Sequence, residues 1–230
     1  MARVQKTPKK TKAPELVPET VAIRKEISAF FSTIGKDGKK IGTRLGVYVF
    51  YDYFGEPIYV GQSEESLGAR IGRHLTNQRT DAVAMRVLDP QEVAEIEVWA
   101  FDFTGKSAEE QKQILGEAEY TVYKKVFDES RLKAVLNEKD IPVTKIIALP
   151  KSHRAKIVPE PTYSHRKHPD IRIARRAAQA AELAKIITER KVSKGLRRTL
   201  YQQARRIESL SKQRLDEIIA DIPVEKDGED

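Results

Sequence analysis

Residues 46–63, GVYVFYDYFGEPIYVGQS, constrain the fold of this chain more than any other stretch. Two short apolar runs, each carrying a tyrosine, are joined by a turn centred on Phe54-Gly55-Glu56-Pro57. Gly46-Val47-Tyr48 opens the first run and Tyr59-Val60-Gly61 lies in the second. Val, Tyr, Ile and Phe at alternating positions on both sides of a Gly/Pro turn specify a β-hairpin. Its paired strands bring Tyr48 and Tyr59 within reach of each other. Taken alone, such a pair is a common way of stabilising a small sheet.

The segment QSEESLGARIGRHLTNQ follows. Ser63 or Ser66 can cap a helix from about Leu67 to about Gln78, with Glu64 and Glu65 near the positive end of its dipole. Leu67, Ile71 and Leu75 define its buried stripe. Arg70 and His74 are four residues apart and share a flank of that stripe, whereas Arg73 and Arg79 fall outside it. The alternation in Ile96-Glu97-Val98-Trp99-Ala100 predicts a third strand with Ile96, Val98 and Ala100 on one face.

A second helix is predicted from Ser107, which stands in capping-box spacing to Glu110. Leu115, Ala118, Val122 and Val126 form its apolar stripe, and Glu119 lies inside that stripe. Glu117 falls with Gln113, Thr121 and Lys124 on the face expected to be wet. A carboxylate on a buried stripe is costly unless it is paired or holds a metal, which singles out Glu119.

The ordered set of Gly-x-Tyr, Tyr-x-Gly, Arg70, His74, Glu119 and Asn137 resembles the GIY-YIG nuclease family, with Val in place of Ile twice, over about residues 44–140. The resemblance implies an α/β (α+β) fold with a small three-stranded antiparallel sheet flanked by helices. It implies metal-dependent hydrolysis of phosphodiester bonds in DNA. Glu119 would hold one Mg²⁺ or Mn²⁺, an ion that keeps several waters and needs only one or two carboxylates. Arg70 would contact the scissile phosphate with its planar fork. Tyr48 would act as base and Tyr59 would orient water or substrate, although some relatives suggest the reverse assignment. His74 would relay a proton or bind phosphate. Asn137 is the match to an asparagine near the domain end, with Asp128-Glu129-Ser130-Arg131 inserted ahead of it. Gln62 stands where repair members of the family often carry lysine.

Charge agrees with a polyanionic partner: 42 Lys and Arg against 34 Asp and Glu give a formal +8. Absence of cysteine excludes thiol nucleophiles and zinc-thiolate sites, and no Gly-x-x-x-x-Gly-Lys loop points to ATP. No run has the length and apolarity of a membrane span or signal peptide, so the expectation is a cytoplasmic protein without membrane contact. Residues 1–17 read as a disordered basic tail and residues 18–150 as the nuclease domain, beginning with an amphipathic helix. Residues 151–169 read as a linker, and His165 and His168 within it as basic linker residues rather than metal ligands. Residues 170–222 read as a basic helical extension and 223–230 as an acidic tail. Arg172, Arg175, Arg176, Arg197 and Arg198 are the extension's candidates for following a nucleic-acid backbone. DNA is the expected partner, with RNA open as an alternative. The same helices could support a homodimer or dock a protein partner, since double-strand cleavage by a one-site fold needs two copies or two visits. The competing reading is a DNA-binding or partner-gated subunit with little activity alone.

Overall fold

β1 (Gly46–Tyr51) lies at the centre of the fold. β2 (Pro57–Ser63) pairs with one side of it and β3 (Glu95–Ala100) with the other, and β4 (His153–Lys156) adds to the outer edge of β3. All neighbours are antiparallel, in the order β2-β1-β3-β4. This computed structural model describes residues 17–35, 38–75 and 87–221. The expected tails over 1–16 and 223–230, and the end of the first motif helix beyond Leu75, lie outside the described residues.

The hairpin turn is built by Asp52. Its Oδ1 accepts hydrogen bonds from the Phe54 and Glu56 main-chain N–H groups at 2.8 and 3.1 Å. Gly55 supplies the positive φ of +75° that closes the turn. The register then opposes Tyr48 to Gly61 and Phe50 to Tyr59.

The helices are α1 (Pro18–Phe31), α2 (Leu67–Leu75), α3 (Ala108–Glu129), α4 (Thr162–Lys167), α5 (Pro169–Glu189) and α6 (Lys194–Ala220). One sheet face, with Tyr48, Phe50, Ile96 and Val98, packs in a single core with Ile27 and Phe31 of α1, Leu67 and Ile71 of α2, Leu183 of α5 and Leu196 of α6. The opposite face, with Val47, Val49 and Trp99, packs against Ala118, Val122 and Val126 of α3. β1 is therefore buried on both sides, which explains its nearly continuous apolar sequence. Ile96 and Val98 share a face with Ala100 packed beside them, as the alternation predicts. Ser107 caps α3 in a full capping box with Glu110, and Ser66, not Ser63, accepts from the first turn of α2.

Three expectations differ from the structure. The sheet has a fourth strand, within the segment 151–169 that reads as a linker. β4 presents one small apolar side chain, Ala155, opposite Ile96, and is a strand because β3 offers it an open edge. Its Arg154 pairs with Glu95 at 2.7 Å and stacks over the Tyr51 ring. Second, the helices read as a basic extension, for which packing on the preceding domain is one of the open options, are part of its core: α5 and α6 complete the core over the sheet. A fully buried leucine such as Leu183 contributes about 1.5–3 kcal/mol there.

Third, Glu117 and Thr121 of α3 are buried, not wet. The extended segment 141–149 lies across them. Ile147 N donates to Thr121 Oγ1 at 3.1 Å, and Ile141, Ile147 and Leu149 pack on the α3 side. Glu117 is matched by Gln113 Nε2 at 2.9 Å and Lys145 Nζ at 3.7 Å. No periodicity along α3 carries this information, because the covering segment belongs to another part of the chain. Among the described residues no helix is long and apolar enough to cross a membrane.

Candidate active site

Gly46 and Gly61 explain the spacing of the hairpin motif. A Cβ on Gly61 would lie 2.7 Å from the Tyr48 hydroxyl and 2.8 Å from Tyr59 Cε1. Only glycine lets the two tyrosine rings close over β2, where their centroids are 6.1 Å apart. A Cβ on Gly46 would lie 2.2 Å from the Trp99 carbonyl oxygen, so glycine is required for β1 to pair with β3 at that point.

His74 reaches back from the last turn of α2 into this aromatic group. Its ring lies 5.9 Å from Tyr48 and 5.7 Å from Tyr59, and Nε2 is 3.2 Å from the Tyr48 hydroxyl. His74 and Tyr48 are buried, Tyr48 completely. Burial and the neighbouring Tyr59 push the Tyr48 phenol well above the usual tyrosine range, against the charge and hydrogen bond of Arg70. A base needs the opposite shift.

A cleft of about 400 Å³ opens beside this group, lined by Tyr59, Gln62, Arg70, His74, Glu119 and Asn137 together with Val87, Leu88 and residues 138–142. Five of the six expected catalytic residues thus border one space, and the sixth, Tyr48, lies behind Tyr59. Arg70 and Arg73 separate as the helix stripe predicts. Arg70 faces the cleft, while Arg73 pairs with Glu65 at the surface. The Arg70 Nε is buried and has no hydrogen-bond partner among the described residues.

Glu119 accepts a hydrogen bond from the Gln62 main-chain N–H and feels the charge of Arg70. Desolvation outweighs both and pushes its carboxyl up to about 7. Among the described residues no three His, Cys, Asp or Glu side chains cluster as a metal cage. The cleft wall offers Glu119 beside Arg70, with Glu138 and the Arg198-paired Asp140 elsewhere in its lining, hydroxyl and amide neighbours, and room for water. That donor chemistry fits a hydrated Mg²⁺ or Mn²⁺, which takes oxygen ligands and retains waters, and does not fit a zinc site built of thiolates and imidazoles.

Asn137 borders the cleft and also holds the hairpin edge. Its Nδ2 donates to the Val60 carbonyl at 2.7 Å and its Oδ1 accepts from the Val60 N–H at 3.2 Å. The amide therefore pairs with the outer edge of β2 as a further strand residue would, and holds the hairpin against the cleft. The Asn137 main-chain carbonyl oxygen accepts from Arg198 Nη2 at 3.0 Å, which links α6 to the same corner.

The expected nucleic-acid contacts at Arg172 and Arg176 are overturned. Both side chains are buried, Arg172 completely. Asp52 Oδ2 accepts from Arg172, Arg176 and Arg206 at 2.8, 2.9 and 2.8 Å. Glu92 Oε2 accepts from Arg176 Nε at 2.8 Å and from Arg172 at 3.3 Å. Arg175 pairs with Asp89 and Arg198 with Asp140. Arg197 is exposed. The acids that capture these arginines stand 58–154 residues away in sequence, beyond the reach of any local pattern.

Gln62 also lines the cleft, although the sequence marks it only as standing where repair members of the family often carry lysine. The available signal was its place directly after Gly61, which sets it at the end of β2 beside Arg70. No family model matches the chain, and no curated protein and no solved structure matches it.

Proposed function

We propose that this protein is a metal-dependent endonuclease of the GIY-YIG type, acting on DNA phosphodiester bonds in the cytoplasm. The observation that carries this reading is the meeting of Tyr59, Arg70, His74 and Glu119 around one cleft, with a buried Arg70 N–H left for a ligand oxygen. Arg70 takes a non-bridging oxygen of the scissile phosphate and neutralises the charge that grows there. Glu119 holds the cation, which supplies Lewis-acid stabilisation of the phosphoryl group when bound. Tyr59, which borders the cleft, passes on the proton lost by the attacking water. Tyr48, buried behind it, and His74, in the cleft wall, keep Tyr59 and Arg70 in position; the burial of Tyr48 favours Tyr59 for the proton-handling role.

The test is nicking of supercoiled plasmid by the purified protein with Mg²⁺, with Mn²⁺ and with EDTA. Arg70→Ala is expected to lose about 10²–10³ in rate. Arg73→Ala, which breaks only a surface ion pair worth about 0–1 kcal/mol, is expected to cut like the wild type. Equal losses in the two variants would show that Arg70 has no special place in the reaction.

A second reading, self-association that pairs two sites, is favoured by the end of α6. There Leu215, Ile218 and Ile219 are 57, 45 and 57% exposed. Light scattering is expected to give twice the monomer mass, and Leu215→Glu with Ile219→Glu is expected to return it to the monomer. A wild-type protein that scatters as a monomer across the micromolar range removes this reading.

A further inference from the structure

Gln62 and Arg70 form a wall shared by two clefts. One is the space of about 400 Å³ that holds Tyr59 and Glu119, and the other, of about 380 Å³, runs along Ser63, Glu64 and Glu65. At this wall two buried polar atoms lack partners among the described residues: Gln62 Oε1 and Arg70 Nε. Folded proteins leave few buried polar atoms unpaired, and two on residues that line the same cleft call for a ligand. The chemistry of the two atoms differs. Arg70 Nε can only donate and Gln62 Oε1 can only accept. A phosphate diester offers acceptors alone, so it satisfies Arg70 and leaves Gln62 wanting a donor. Water is the reactant that brings one.

We infer that Gln62 is a further residue of the reaction, its Oε1 accepting one O–H of the attacking water and aiming that water at a phosphate held on Arg70. This rests on the nuclease reading above. The water oxygen forms the new bond to phosphorus. The opposite P–O bond breaks, its electron pair goes to the departing sugar oxygen, and that oxygen takes a proton from solvent. Of the two water protons, one stays on the new phosphate hydroxyl while bonded to Gln62 Oε1, and the other leaves for solvent through the Tyr59 hydroxyl. An amide suits the task because it accepts without titrating, so it does not compete for the proton. The same residue anchors Glu119 through its main-chain N–H. That anchor survives any change of the side chain, so the two roles can be separated by substitution.

The experiment compares wild type, Gln62→Met, Gln62→Glu and Glu119→Gln on supercoiled plasmid and on a short labelled DNA duplex with Mg²⁺. Gln62→Met keeps the side-chain volume and removes the amide. It is expected to lower kcat about 10²-fold, the scale of a misplaced reactant, with KM and duplex affinity within twofold of wild type. Gln62→Glu keeps an acceptor oxygen and is expected to retain more of kcat than Gln62→Met. A Gln62→Met protein with wild-type kcat, or with a changed KM alone, overturns the inference. If wild type cuts and Glu119→Gln does not, the nuclease reading stands whatever Gln62→Met does. A wild-type protein that binds the duplex and never nicks it overturns both.

Discussion

Glu119→Gln is expected to abolish metal-dependent nicking, by 10²–10³-fold or more on the usual scale for a charge-stabilising group, and at the same time to stabilise the folded protein above neutral pH. The two effects share one cause. Glu119 sits where desolvation pushes its carboxyl up from an ordinary 4.5 to about 7. A group whose folded value is raised contributes its stability below the ordinary value and loses it as the pH climbs through the folded value. The cost of the desolvated carboxylate is thus absent at pH 4 and fully present at pH 8. At about 1.36 kcal/mol per unit, it is on the order of 3 kcal/mol. Glutamine keeps an acceptor for the Gln62 N–H and never ionises. Thermal unfolding at pH 8 should therefore show the variant melting higher than wild type, and at pH 4 the two should coincide. Mg²⁺ should reverse the order at pH 8 by binding only the wild type. Wild-type nicking by the variant would remove Glu119 from the site, and a Tm difference independent of pH would mean that its carboxylate is well hydrated.

Asp52→Ala is expected to unfold the protein or to cost about 3–5 kcal/mol, the range for breaking a buried ion pair from one side. Asp52 Oδ2 is shared by Arg172, Arg176 and Arg206, so its loss leaves Arg172 and Arg176 to Glu92, and Arg206 with the Pro57 and Ala134 carbonyls but no ion pair among the described residues. Burial by itself would raise the Asp52 carboxyl; Arg206, Arg172 and Arg176 outweigh it and hold the group down at about 2. With a depressed value the sign is the reverse of that for Glu119. The stabilisation is present above the ordinary 3.8 and is lost as the pH falls through about 2. Chemical denaturation at neutral pH measures the loss, and an acid titration should show the wild-type limb between those values missing from the variant. Arg172→Ala should be damaged comparably, whereas exposed Arg197→Ala should stay within about 0.5 kcal/mol of wild type. An Arg172→Ala protein that folds normally and only loses DNA affinity would restore the surface role that its position in the sequence implies.

The hairpin, the Arg70/His74 face, the capping box at Ser107 and the α3 stripe were readable because each depends on spacings within one turn or one strand pair. Glu119 was readable for the same reason: a carboxylate among Leu115, Ala118 and Val122 stands out wherever the helix packs. Its neighbour Glu117 reads as solvated along the helix because its burial comes from a distant segment lying over it. Asn137 was readable as a position but not as a role, since its partner is the edge of a strand 77 residues away. Arg172 and Arg176 illustrate the largest gap. A helix rich in arginine looks like a solvated, polyanion-binding face until Asp52 at the hairpin turn is known to lie beneath it.

The sequence by itself determined the local elements of this protein, the glycines that let two tyrosines approach, and the residue types available for phosphodiester chemistry. These follow from backbone sterics, side-chain periodicity and the cost of burying charge, all of which act over a few residues. Only the tertiary structure decided that β4 closes the sheet, that α5 and α6 belong to the same core, that three arginines converge on Asp52, and that Gln62 and Arg70 line one cleft with atoms unpaired among the described residues. Those outcomes depend on which surfaces meet after the chain has folded back on itself, and burial, pairing and desolvation have no value for a side chain until its distant neighbours are in place.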